Sequence, residues 1–309
     1  MIGPAIAECP AWMLQRARGA IREPIRTGII NAINSVALES TRDATEAGLI
    51  APVLIGAREA INEAAAAISW DIADLEIIEA DGEQAAAVAG AAAAGRGELA
   101  ALMKGHLHTD VFMRACLSRD AGLRIGKPLT HVFVLTLPGR EGSLILTDCA
   151  LLPAPDVEMK KAVITNGVAM AQALGVTRPK VALLSATEVV SEHIPSTIEA
   201  ETLTKWAATA LPAADVRGPL AFDLAVSAEA VRVKGITGKV AGAADVIVVP
   251  EIVSGNALFK SLVQFAGACA AGLVVGAKVP LLLTSRADPP AARLGSAALA
   301  AILAGTHND

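Results

Sequence analysis

The stretch VAGAADVIVVPEIVSGNALFK, residues 240–260, decides the fold. Its centre, Asp245-Val-Ile-Val-Val-Pro250, is a short, continuous β-branched run of the kind buried on both faces of a parallel sheet. Pro250 ends the run because proline has no N–H to give to a ladder. Ser254-Gly255-Asn256 then opens a helical pattern, which predicts free backbone N–H groups beyond a strand end, a geometry suited to an anion. The flanking sequence repeats the arrangement. Upstream, RGPLAFD (residues 217–223) brings Asp223 to the end of an apolar segment, and downstream Leu281-Leu-Leu-Thr284 delivers Ser285 and Arg286. A hydroxyl beside a guanidinium suits phosphate, since arginine presents a planar fork to two oxygens and serine adds a further bond.

The rest of the chain alternates in the same way. Residues 11–18 predict a helix, 31–47 a second that Gly48 stops, and 49–55 a strand that Gly56 closes before a helix from Arg58. Residues 75–80 predict a strand and the alanine-rich 84–94 a helix, expected to continue through 96–103 to the cluster Lys104, His106, His108, Thr109 and Asp110. Two histidines two residues apart do not share a helical face, and no third ligand stands at useful spacing. A loop with a hydrogen-bonded histidine therefore outweighs a metal site. Thr109 or Asp110 is expected to cap a helix over 111–117 that carries Arg114. Residues 131–137 and 144–147 flank the turn formers PGREG and predict an antiparallel hairpin. Cys149 follows as a small buried hydrophobe. Asp156 starts a helix ending before Gly175, residues 180–185 form a strand with Ser185 at its end, and 198–211 form a helix. This alternation predicts a three-layer α/β/α fold with mainly parallel sheets.

Composition narrows the function. The 309 residues are 53% hydrophobic and 18% charged, enough for a large core in one or two domains. A net charge of −5 gives no footprint for nucleic acid, and with no tyrosine and 3% aromatics there is no base-stacking platform. Cys9, Cys116, Cys149 and Cys269 are widely spaced with no C-x-x-C, so neither zinc nor a disulfide framework is expected, and a reducing cytoplasm is the simplest setting. The opening MIGPAIAECPAW lacks the pattern of a secretory signal. The longest apolar stretch, residues 262–277, is too short for a membrane span and is expected as a buried helix.

GPLAFD, residues 240–260 and PLLLTSRAD, together with LMKGHLHTDVFMRACL (102–117) and LILTDCAL (144–151), keep order and spacing over most of the chain. In these motifs the sequence resembles the phosphate acetyl/butyryltransferases, the phosphotransacylase family, with LMKGHLHTD and TSRAD most similar to butyryltransferase-type and hydratase-fused members. The resemblance implies two α/β domains flanking a cleft, as in isopropylmalate dehydrogenase-like folds, the first from residues 1–132 plus 278–309 and the second, inserted, from 133–277. It implies transfer of an acetyl or butyryl group between coenzyme A and inorganic phosphate in a homodimer, with no cofactor.

On this resemblance Ser285 and Arg286 are the catalytic candidates, and Arg114 joins them as a phosphate ligand. Thr109, Ser185, Asp223, Gly255, Asn256 and Lys260 are the remaining substrate-binding candidates. Each has a plainer reading. Arg114 and Lys260 fit solvated helix positions, Asp223 fits a loop carboxylate bonded to backbone, and Gly255 fits a backbone requirement. Acetyl-type members carry a carboxylate seven residues after the motif serine, where this chain has Ala292. That departure motivates a second expectation, a non-catalytic acyl-CoA sensor. A nicotinamide dehydrogenase is disfavoured because no G-x-G-x-x-G follows a strand.

Overall fold

The computed structural model describes residues 8–283 and 288–306. The described chain divides into two compact units, one of residues 128–270 and one of residues 8–127 with 271–283 and 288–306. The resemblance implied crossings at 132/133 and 277/278.

The discontinuous unit begins α1 (Ala11–Ala20), β1 (Ile25–Ile30), α2 (Ser35–Glu46), β2 (Ile50–Gly56), α3 (Arg58–Ala67), β3 (Glu76–Glu79), α4 (Gly82–Gly95), β4 (Ala101–Lys104) and α5 (Thr109–Leu117). Two of these strands overturn the sequence expectation. β1 lies where no strand was expected, and β4 occupies residues assigned to a continued helix. Both are central, β1 pairing in parallel with β2 on one side and with β4 on the other. Gly28 in β1 is closely packed, since a Cβ there would stand 2.7 Å from the end of the Leu99 side chain, which would have to shift.

The continuous unit holds β5 (Thr130–Thr136), β6 (Leu144–Thr147), α6 (Val157–Ala173), β7 (Lys180–Leu184), α7 (Pro195–Ala210), β8 (Asp215–Leu220), α8 (Phe222–Val226), α9 (Ala228–Lys234), β9 (Val246–Val248) and α10 (Ile252–Ala266). Its strands run β5-β6-β9-β7-β8. β5 and β6 form the expected antiparallel hairpin, and β6, β9, β7 and β8 are mutually parallel. Val246, Ile247 and Val248 are all buried, as a β-branched run between two parallel neighbours requires. Ile247 joins Leu135, Leu146, Ala182, Leu220 and Leu224 in one core.

The chain returns through β10 (Cys269–Val275), β11 (Leu281–Leu282) and α11 (Pro290–Thr306). The buried helix expected over 262–277 is therefore corrected. α10 stops at Gly267, whose φ of 67° is the left-handed conformation glycine adopts most readily, and the remainder is strand. In the discontinuous unit the order is β3-β2-β1-β4-β11-β10, with β11 parallel to β4 and antiparallel to β10. Among the described residues no helix is long and apolar enough to cross a membrane, and no group of three or more His, Cys, Asp or Glu could hold a metal.

Candidate active site

In the discontinuous unit the chain steps from β1 outward to β2 and β3, then returns to β4 on the other side of β1. The direction of winding reverses between β1 and β4, and open α/β sheets bind ligands outside the carboxyl ends of strands at such a point. Polar groups gather there. Asn31 follows β1 with φ of 54°, a left-handed conformation asparagine tolerates. Its Nδ2 donates to the His106 carbonyl at 2.5 Å, and the His106 N–H donates to the Asn31 carbonyl at 2.9 Å. Gly105 between them admits no side chain, since a Cβ would meet the Ile30 and Asn31 carbonyl oxygens at 2.5 and 2.9 Å. Asn34 caps α2 by accepting the Ala37 N–H at 2.9 Å, and its Nδ2 lies 3.0 Å from His106 Nδ1. Lys104, buried at the end of β4, donates to the Leu107 carbonyl at 3.2 Å.

The α5 start differs from expectation. Thr109 and Asp110 are its first two residues, and His108 occupies the cap position, its side chain capping none of the helix N–H groups. The cap comes from another helix, where Glu83 of α4 accepts the His108 N–H at 3.0 Å and faces its ring. That backbone bond, with the ring behind it, holds the Glu83 carboxyl below its usual range. Thr109 is exposed, and Arg114 pairs with Asp110 at 3.1 Å across one helical turn. Ser285 and Arg286 lie outside the described residues. Asp288, just beyond them, gives its carbonyl to Arg293 Nη1 at 3.0 Å.

In the continuous unit, Ser185 and Asp223 follow the C-terminal ends of the adjacent parallel strands β7 and β8. Ser185 is buried, its hydroxyl 2.8 Å from that of Ser196. Asp223 sits in α8 with Oδ1 accepting the Leu224 N–H at 2.9 Å and Oδ2 3.5 Å from Lys234. Gly255 and Asn256 meet Cys149, two residues beyond β6. A Cβ on Gly255 would stand 3.2 Å from Cys149 and 2.6 Å from Val249, and Asn256 Nδ2 reaches the Cys149 carbonyl at 3.4 Å. Lys260 is exposed on α10.

The free N–H groups expected at the start of α10 are not free. The helix begins before Ser254, and the Glu251 carboxylate accepts Val253 N–H at 2.6 Å and Ser254 N–H at 2.8 Å. The chain itself supplies the anion that the helix start attracts. Bonds from Ser254, then from Val253, hold this carboxyl below its usual range. Cys149 is buried, which pushes its thiol well above the ordinary range and leaves it protonated, not a nucleophile. Sequence reading missed Asn31 and Asn34 because β1 itself was missed. The signal available was Asn34 directly before Ser35 and the apolar-periodic residues that follow, an N-cap pattern.

Parallel sheets with polar side chains clustered where strands end, and a reversal of winding beside one such cluster, define an α/β enzyme that takes a small ligand. Residues 82–301 match the family described as phosphate acetyl/butaryl transferase. A phosphate acetyltransferase of Rhizobium meliloti is 42% identical over 284 residues, covering 91% of this chain and 89% of that protein. A phosphate butyryltransferase of Clostridium acetobutylicum is 36% identical, covering 92% and 95%. The crystal structure of a branched-chain phosphotransacylase from Enterococcus faecalis superposes with a TM-score of 0.79 at 30% identity, covering 92% and 99%. This chain belongs to the phosphate acetyl/butyryl transferase family and is an acyltransferase.

Proposed function

We propose that this acyltransferase moves a short acyl group, acetyl or butyryl, between coenzyme A and inorganic phosphate by direct attack in a ternary complex. The observation that carries the reading is the match to both phosphate acetyltransferase and phosphate butyryltransferase over more than nine tenths of the chain. Phosphate attacks the thioester without a cofactor, so catalysis comes from positioning and charge. Arg286 offers the fork for phosphate and Ser285 a further donor. Arg114, on an exposed helix face, exchanges Asp110 for substrate. Lys260, also exposed, attracts the phosphates of coenzyme A. Thr109, Ser185, Asp223 and Asn256 supply polar groups where strands end, while Gly255 serves close packing against Cys149. That none of the four cysteines is joined in a disulfide agrees with a cytoplasmic setting.

The test is CoA release from acetyl-, propionyl- and butyryl-CoA with and without phosphate. Phosphate-dependent release with at least one chain length is the expected result. Binding of acyl-CoA with no turnover on any of the three replaces the enzyme by a sensor of the same fold.

A further inference from the structure

We propose that His106, through its Nε2–H, is the hydrogen-bond donor to the thioester oxygen in the acyl transfer, a role that depends on the reaction proposed above. The assignment starts from the amide of Asn34. Its Oδ1 accepts the Ala37 backbone N–H at 2.9 Å, and a backbone N–H can only donate, so oxygen and nitrogen of the amide are fixed. The other arm of the amide is therefore Nδ2, a donor, and it faces His106 Nδ1 at 3.0 Å. A proton on Nδ1 would oppose the Asn34 N–H, so Nδ1 is the acceptor and the ring proton sits on Nε2.

The ring is also fixed in place. Two bonds to Asn31, one donated by its side-chain Nδ2 and one accepted by its carbonyl, hold the backbone of residue 106, and Gly105 lets the ends of β1 and β4 approach closely enough to form them. Nε2 has no hydrogen-bond partner among the described residues, and the ring is only partly buried. A donor of assigned tautomer, held by a helix cap, thus stands at the switch point of the sheet. α11 provides no carboxylate at the corresponding family position, where Ala292 is buried in its first turn.

The chemistry balances with that single donor. An oxygen of hydrogenphosphate attacks the thioester carbon, forming the C–O bond while the carbonyl π pair moves to oxygen. Collapse of the oxyanion breaks the C–S bond, and the proton of hydrogenphosphate ends on sulfur, giving acyl phosphate and the thiol. His106 keeps its proton throughout and stabilises the oxyanion, so the transfer needs no carboxylate at residue 292.

Steady-state kinetics with nitrogen NMR test this on the intact protein. Removing one oxyanion donor costs on the order of 10²–10³ in kcat, so His106→Ala should fall by that factor with KM for phosphate and acyl-CoA nearly unchanged. His106→Gln, which keeps a side-chain N–H, should recover part. Asn34→Asp still caps α2 through a carboxylate oxygen but presents an acceptor to Nδ1, drawing the proton there. It should lose kcat at an unchanged melting temperature. The wild-type nitrogen spectrum should show the proton on Nε2. A proton on Nδ1, or His106→Ala turning over at the wild-type rate, overturns the proposal. If His106→Ala fails to fold, the Gln and Asp variants decide in the same two directions. Wild-type protein with no phosphate-dependent turnover overturns the acyl-transfer reading and the role of His106 with it, whereas wild-type turnover that ignores His106 overturns only the latter.

Discussion

His131 shows how a single side chain can set the response of the fold to acid. It stands at the start of β5, buried, with Nδ1 lacking any partner and its ring against Phe133, which in turn stacks on Phe259 at 3.9 Å. Its N–H donates to the buried Asp148 carboxylate at 2.7 Å, whose other oxygen accepts the Ala150 and Leu151 N–H groups and so shapes the loop after β6. Burial pushes the imidazole down to about 4, against a smaller opposing pull from Asp148. In the unfolded chain the ring titrates near 6.5. Between these values the unfolded state binds the extra proton, so the stability from neutral His131 is complete above pH ~6.5 and is lost as pH falls toward ~4. The gap between about 4 and 6.5 limits the loss to roughly 3 kcal/mol. Denaturant unfolding at steps from pH 7 to 4 should show His131→Phe with a shallower decline than wild type. Parallel declines would mean that other groups carry the acid response.

At the scale of elements, the meeting of β1 and β4 depends on one missing side chain. A methyl at residue 105 would face two backbone carbonyl oxygens, which cannot swing aside as a flexible side chain could. Gly105→Ala should cost about 1–3 kcal/mol through overpacking and lower turnover more than melting, because the shift falls on Asn31 and His106. A urea titration beside a rate measurement checks both, and an unchanged protein would show that the strand ends have slack. The same elements mark the limit of what sequence carried. The apolar runs at residues 50–55, 181–184 and 246–248 were legible because a strand buried on both faces must be continuously apolar. β1 was not, since Thr27-Gly28 interrupts the run for a reason only packing reveals. β4 was hidden by composition, because Ala-Leu-Met-Lys favours helix locally and neighbouring strands override that preference. Among the candidate residues, the placement of Ser185 after β7 and of Asp223 after β8 was legible from the apolar runs before them. The pairing of Asn34 with His106 was not, because it joins residues 72 apart.

At the scale of the whole molecule, the homodimer that the resemblance implies can be assigned a surface to test. Residues 262–277 are not one buried helix, yet α10 has a single buried residue, Gly255, in fifteen. Leu258, Phe259 and Leu262 pack one side of it against the core. On the rest of the helix Val253 is 73% exposed and Phe265 90% exposed. A phenylalanine standing almost wholly in water is a strong indication of a covered surface when the helix around it is also apolar. A twofold pair through this face would bury Phe265 in both copies, since a twofold interface uses the same patch twice. Each buried phenylalanine contributes roughly 1.5–3 kcal/mol, so Phe265→Asp removes that amount twice and should weaken pairing roughly 10²–10⁴-fold. Sedimentation velocity at micromolar concentration should show a dimer for wild type and a monomer for Phe265→Asp, with unchanged secondary structure by circular dichroism. A monomeric wild type ends the pairing proposal, and a variant that stays dimeric moves the interface away from α10.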